Sequence, residues 1–168
     1  MNECIAVCMG DMSMQLFRLS SERITCPLVP DVIGLGRKIG EKTGIISTRY
    51  GNRMLSLKSS MFLDEIVEDF FVEIVDYDPV KNILVFIGEQ QPENALSLAI
   101  HWLILRVRND TNVIVHLYGG NDVVNPLEKT KRILGTIKAE DNMFKEGEEA
   151  MFLGKDFADV LKTVEGEM

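Results

Sequence analysis

The segment PENALSLAIHWLILRVRND constrains the fold more than any other part of the chain. It reads as a helix over Pro92–Asn109. Pro92 suits a first turn, Glu93 suits the positive N-terminal end, and Leu96, Ile100, Leu103 and Val107 recur as a stripe. A few residues later the chain runs into NVIVHLY, a buried strand. Just before the helix, FFVEIVDYDPVKNILVFIGE reads as a hairpin, two apolar β-prone runs around the turn formers of DYDPVKN. Strands joined by a hairpin and strands joined through helices therefore occur together, which predicts a largely antiparallel or mixed sheet covered by helices.

The remaining elements extend this pattern. DVIGLGRKIGEKTG places Val32, Leu35 and Ile39 at helical spacing, with Gly44 ending the segment. RMLSLKSS alternates like a half-buried strand, and LDEIVEDF reads as a short helical turn capped by Asp64. PLEKTKRIL is helical from Pro126, EAMFLG is a strand, and KDFADVLKTVE is a closing amphipathic helix. Residues 1–30 carry no assignable pattern, so the 168 residues are read as one domain with an unassigned N-terminal segment.

The net charge of −8 and the lack of a Lys/Arg cluster argue against nucleic-acid binding. No apolar run is long enough to span a bilayer, and the N-terminus lacks the features of a signal peptide, so the expectation is a cytoplasmic protein without a membrane partner. Cys4, Cys8 and Cys26 are an odd set without a secretory signal, which favours small packing residues over a disulfide framework.

Two glycine-rich matches fail on their chemistry. GRKIGEKTG has Glu41 where a phosphate-binding P-loop needs glycine before Lys-Thr, and GLGRKIG is one residue too long for a dinucleotide fingerprint. NVIVHLYGG is more informative. His116 at the end of a buried strand suits a metal ligand, although a polar residue lining a cleft would sit there equally well.

From residue 43 to residue 163 the chain runs through TGIISTRYGNRMLSLKSS, QPENALSLAIHWLILRVRNDTNVIVHLYGG and AMFLGKDFADVL, and this order of motifs resembles the class II aldolase/adducin family. Gly44, Ile46, Ser47, Arg49, Gly51, Arg53, Met54, Leu55 and Ser59 match the family's first segment. Glu93 takes its glutamate position, and Arg106, Asp110, Val113, Val115 and His116 fit the segment around the metal-ligand strand. Gly154, Lys155 and Asp156 match its last motif. The resemblance implies a three-layer α/β/α sandwich around a mostly antiparallel central sheet, and a homo-oligomer, with a tetramer favoured. It also implies a divalent metal held by three histidines, a glutamate that moves a proton, and loops that bind a substrate phosphate. The substrate would be a small hydroxy-carbonyl or sugar-phosphate-like molecule.

The departures from the pattern are chemical. The chain has two histidines, so three imidazole ligands are impossible. His116 holds the first metal position, Tyr118 the second, and Glu148 the third, with Gly147 or Glu149 selected by a shift of one residue. His101 lies on the helix, where the family places no ligand. One imidazole, one phenol and one carboxylate would bind zinc or manganese weakly or not at all. At the phosphate site Ile45 replaces asparagine, and Gln91 and Pro92 replace the paired serines, leaving Gly44, Ser59 and Ser60 as anion-binding candidates. Glu93 also reads as a first-turn helix acid, and Ser59 and Ser60 as a simple turn. Two functions follow. One is a binding or assembly domain with degenerate metal and phosphate sites. The alternative is a metal-dependent aldolase-type lyase or epimerase in which Glu93 is catalytic.

Overall fold

The structure, a computed structural model, describes residues 3–9, 12–117, 125–137 and 141–167, with only the backbone described up to residue 13. In chain order the strands are β1 (Glu3–Met9), β2 (Met12–Ser20), β3 (Thr43–Tyr50), β4 (Arg53–Leu57), β5 (Met61–Phe62), β6 (Phe71–Asp78), β7 (Ile83–Ile87), β8 (Val113–Leu117), β9 (Met143–Glu146) and β10 (Glu149–Gly154). The helices are α1 (Val29–Ile39), α2 (Ala95–Val107), α3 (Pro126–Thr136) and α4 (Phe157–Glu167). One sheet takes all the strands in the order β1-β2-β7-β6-β4-β3-β8-β10-β9, with β5 on the end of β3. Among the described residues every pairing is antiparallel except β2 with β7. This is the mostly antiparallel mixed α/β architecture that the hairpin and helix joins imply. Among the described residues no helix is long and apolar enough to cross a membrane.

The helices pack in two pairs, α1 with α4 and α2 with α3. α1 presents Val29, Val32, Leu35 and Ile39 to the core, as its spacing requires. It ends at Ile39 with Gly40 at φ 95°, a left-handed position that favours glycine. Gly44 is therefore not the helix terminator. It lies within β3, where an added Cβ would clash with the His116 carbonyl oxygen of β8, so close strand approach accounts for the glycine.

Other local expectations change for physical reasons. α2 starts at Ala95, which puts Pro92 and Glu93 before the helix and leaves Asn94 at its N-cap. Its buried residues go nearly all the way round, from Leu96 and Leu98 to Ile104 and Leu105, whereas Val107 of the expected stripe is 64% exposed. A helix packed on several sides has no single apolar stripe. LDEIVEDF forms two 3-10 turns, Leu63–Glu65 and Glu68–Phe70, without a side-chain cap, so Asp64 sits inside a turn rather than capping one. Trp102 is buried, as its place on α2 predicts. The unassigned N-terminal stretch is the β1–β2 hairpin followed by the start of α1.

Candidate functional site

Strand pairing decides which side chains meet. His116 on β8 stands opposite Ile45 on β3 and Met151 on β10, and these residues share one face of the sheet. Ser47 follows two places after Ile45 and pairs with Ser56 of β4, so both join that face, and Glu149 joins it two places before Met151. α2 covers the face and lowers His101 onto it.

The result is one continuous hydrogen-bonded chain through the core. Ser56 Oγ lies 2.8 Å from Ser47 Oγ, which lies 2.7 Å from His101 Nδ1. His101 Nε2 is 2.8 Å from His116 Nδ1, and His116 Nε2 is 2.8 Å from Glu149 Oε2. Lys129 Nζ of α3 closes the chain, 2.8 Å from Glu149 Oε1. All six residues are buried; His101 is fully enclosed and Glu149 is 8% exposed.

The charges fix the state of Glu149. Burial alone would raise the Glu149 pKa, but hydrogen bonds from His116 and Lys129 and their nearby charges bring it down to about 2. Glu149 is thus an ionised acceptor, and His116 donates to it from Nε2. Burial, and secondarily the neighbouring His116, holds His101 well below the usual histidine range, so His101 is neutral. His101 Nε2 and His116 Nδ1 share one hydrogen bond, and His101 Nδ1 bonds to Ser47, which bonds in turn to Ser56. His116 and Lys129 both donate to Glu149, and at the far end of the chain the Ser56 hydroxyl also reaches the Leu57 carbonyl oxygen at 3.1 Å. No buried side-chain N or O atom lacks a partner among the described residues.

This donor set does not suit a divalent metal ion. Both His116 ring nitrogens are engaged, Nε2 with Glu149 and Nδ1 with His101. Both Glu149 oxygens are also taken. A dication would face the Lys129 ammonium as well, a repulsion on the order of 5 kcal/mol for charges about 6 Å apart at an effective dielectric of ~20. Among the described residues no group of three or more His, Cys, Asp and Glu side chains is arranged to hold a metal. Tyr118 lies outside the described residues.

The other candidates occupy different surroundings. Glu148 is exposed in the turn between β9 and β10, and its neighbour Glu149 reaches His116. Glu93 is exposed before α2 and pairs with Lys58 at 3.6 Å, while its backbone N–H donates to the Lys58 carbonyl. The Asn94 side chain accepts from the Ser60 N–H at 2.7 Å instead of capping its own helix. Ser59 and Ser60 are half-buried in the loop after β4, whereas Gly44 is buried in β3. The structure thus gathers Lys58, Ser60, Glu93 and Asn94 at the start of α2, and gives His116 and Glu93 separate partners. His101 and Lys129 belong to the buried chain although the motif pattern gives them no role. Helical spacing carried a signal for Lys129, since Pro126, Lys129, Thr130 and Ile133 form the inward face of α3.

No family sequence model matches the chain, and no curated protein matches it by sequence. Solved structures do match. YgbL from Klebsiella pneumoniae superposes with a TM-score of 0.62 at 11% identity, over 83% of this chain and 84% of that one. An L-fuculose 1-phosphate aldolase gives 0.61 at 14% identity, over 85% and 82%. An aldolase II superfamily protein from Pseudomonas syringae gives 0.61 at 13%, over 85% and 74%. The chain has the fold of the class II aldolases. Within that fold its buried polar chain runs along β3, β8 and β10, and its exposed polar cluster lies at the start of α2.

Proposed function

We propose that this chain is a class II aldolase-like binding or assembly domain that has lost zinc aldolase chemistry. The observation that carries this reading is the commitment of both His116 ring nitrogens and both Glu149 oxygens to protein partners. A Lewis-acid site needs ligand atoms free to face the ion. The likeness to an L-fuculose 1-phosphate aldolase supports a small hydroxy-carbonyl or sugar-phosphate-like ligand, with Lys58, Ser59, Ser60 and Glu93 at the start of α2 as the groups that would meet it.

The same reading takes the fold as a three-layer α/β/α sandwich. Its support is strand parity. His116 pairs with Met151 on the α2 side, and Gly154 lies an odd number of residues further along β10. Gly154 abuts Val160 of α4, where an added Cβ would stand 2.7 Å from the valine Cβ, so α4 belongs to the opposite face. We further propose a homo-oligomer, since a small domain leaves much of its surface to be covered. Light scattering across micromolar concentrations tests the assembly, and a monomer throughout would overturn it.

The decisive experiment is metal analysis of protein purified without added metal, followed by titration with zinc and with manganese. The expected outcome is no stoichiometric metal and no saturable binding. One tightly held ion per chain, lost in His116→Ala, would restore the metal-dependent aldolase reading.

A further inference from the structure

We infer that Lys129 is a built-in cation, whose ammonium compensates the His116–Glu149 pair in place of a metal ion and closes that pair to metals. The inference deepens the reading of a chain without zinc chemistry and rests on it.

The position of Lys129 is the first argument. On α3, Glu128, Lys131 and Arg132 are exposed, and Leu127 also faces outward, yet Lys129 turns inward beside Thr130 and Ile133. Lysine is seldom buried without a partner, so this arrangement reverses the usual preference for burying leucine and exposing lysine. The inward ammonium meets one carboxylate, at 2.8 Å, and lies 5.9 Å from the Phe144 ring centroid.

The second argument is the chemistry of the pair it meets. Without the ammonium, Glu149 would be a buried anion with Oε1 free and Oε2 bonded to the His116 imidazole, and a divalent ion could displace the proton shared between that nitrogen and oxygen. That is the donor pattern that draws a divalent ion. With the ammonium present the carboxylate is neutralised, and one of its oxygens is occupied. The lysine therefore has two effects at once: it allows Glu149 to be buried, and it fills the coordination direction a metal would use.

The test uses cobalt(II), whose visible absorption reports bound ion directly, on the full chain in metal-free buffer. Three proteins are compared: the parent, Lys129→Leu, and the double variant Lys129→Leu/Glu149→Gln. Leucine adds no ligand atom, and the amide restores neutrality without a charge. The parent should show no saturable cobalt spectrum. Lys129→Leu should bind one equivalent at least about ten-fold tighter than the parent, and its melting temperature should rise with added cobalt. The double variant should regain thermal stability and lose the cobalt response. If Lys129→Leu does not fold by itself, folding that begins only with cobalt counts as the expected gain.

A Lys129→Leu protein that neither folds with cobalt nor binds it, beside an inert parent, overturns the built-in cation and leaves the metal-free reading standing. A parent that itself binds one cobalt per chain overturns that reading as well.

Discussion

Two polar clusters in this chain use similar residues under opposite conditions. At the start of α2, Lys58 and Glu93 meet at 3.6 Å with the glutamate 63% exposed. In the core, Lys129 and Glu149 meet at 2.8 Å with side chains 4% and 10% exposed. Solvent screens the first pair, so its net worth is on the order of 0–1 kcal/mol. The second pair has given up its hydration, and removing one member leaves a bare charge inside. The comparison teaches that a charged residue can be prominent in a motif and nearly neutral in stability, while an unremarked one holds the core together.

Replacing one member of the core pair is the strongest way to break this contrast. Glu149→Ala should cost about 3–5 kcal/mol, read as a shift in the urea unfolding midpoint, because it strands the Lys129 ammonium. A loss comparable to that at Glu93 would erase the difference between the clusters.

Acid titration probes the same core pair without a substitution. The Glu149 pKa is depressed to about 2 from 4.5, so its contribution is fully present above the unfolded value and fades as pH falls through that window. Urea midpoints should therefore drop between about pH 4.5 and pH 2, more steeply in the parent than in Glu149→Gln. Equal slopes would remove Glu149 from the account.

A steric change is expected to be smaller. Gly44→Ala should cost about 1–3 kcal/mol in thermal unfolding, because the new methyl meets the His116 carbonyl and forces β3 and β8 apart. An unchanged midpoint would mean that the close approach of the two strands is not needed.

The smallest effect belongs to the exposed cluster. Glu93→Gln should change stability by less than about 0.5 kcal/mol in the same urea assay. A loss near that of Glu149→Ala would show that the exposed pair is far stronger than its setting allows.

Periodicity made much of the fold legible, and it failed where periodicity carries no contrast. The β6–β7 hairpin, β8, α3, α4 and the burial of Trp102 follow from alternation and helical spacing. β3 was hidden because TGIISTRY follows α1 after only a few residues and is buried through Gly44–Thr48, so it shows no alternation. The inner role of His101 was hidden because α2 is apolar nearly all round, which leaves no polar side against which a buried histidine stands out. His116 was legible as a polar residue on a buried strand, but its partner turned on a single position. Glu148 and Glu149 are adjacent, and only the register of β10 decides that Glu149 faces inward. The Lys58–Glu93 pairing depends on a loop meeting a helix start, a long-range contact that local pattern does not encode.

The parallel pairing of β2 with β7 has a consequence for the order of assembly. β2 finds its seat on β7, and between Ser20 and Ile83 lie α1 and the strands β3 to β6. During synthesis at 5–20 residues per second, the β1–β2 hairpin therefore waits roughly 3–13 s before its neighbour in the sheet is made. An isolated two-stranded hairpin is at best marginally stable in water. The hairpin is thus translated well before the strand that locks it in place, and the growing chain carries it as a loose end until β7 arrives.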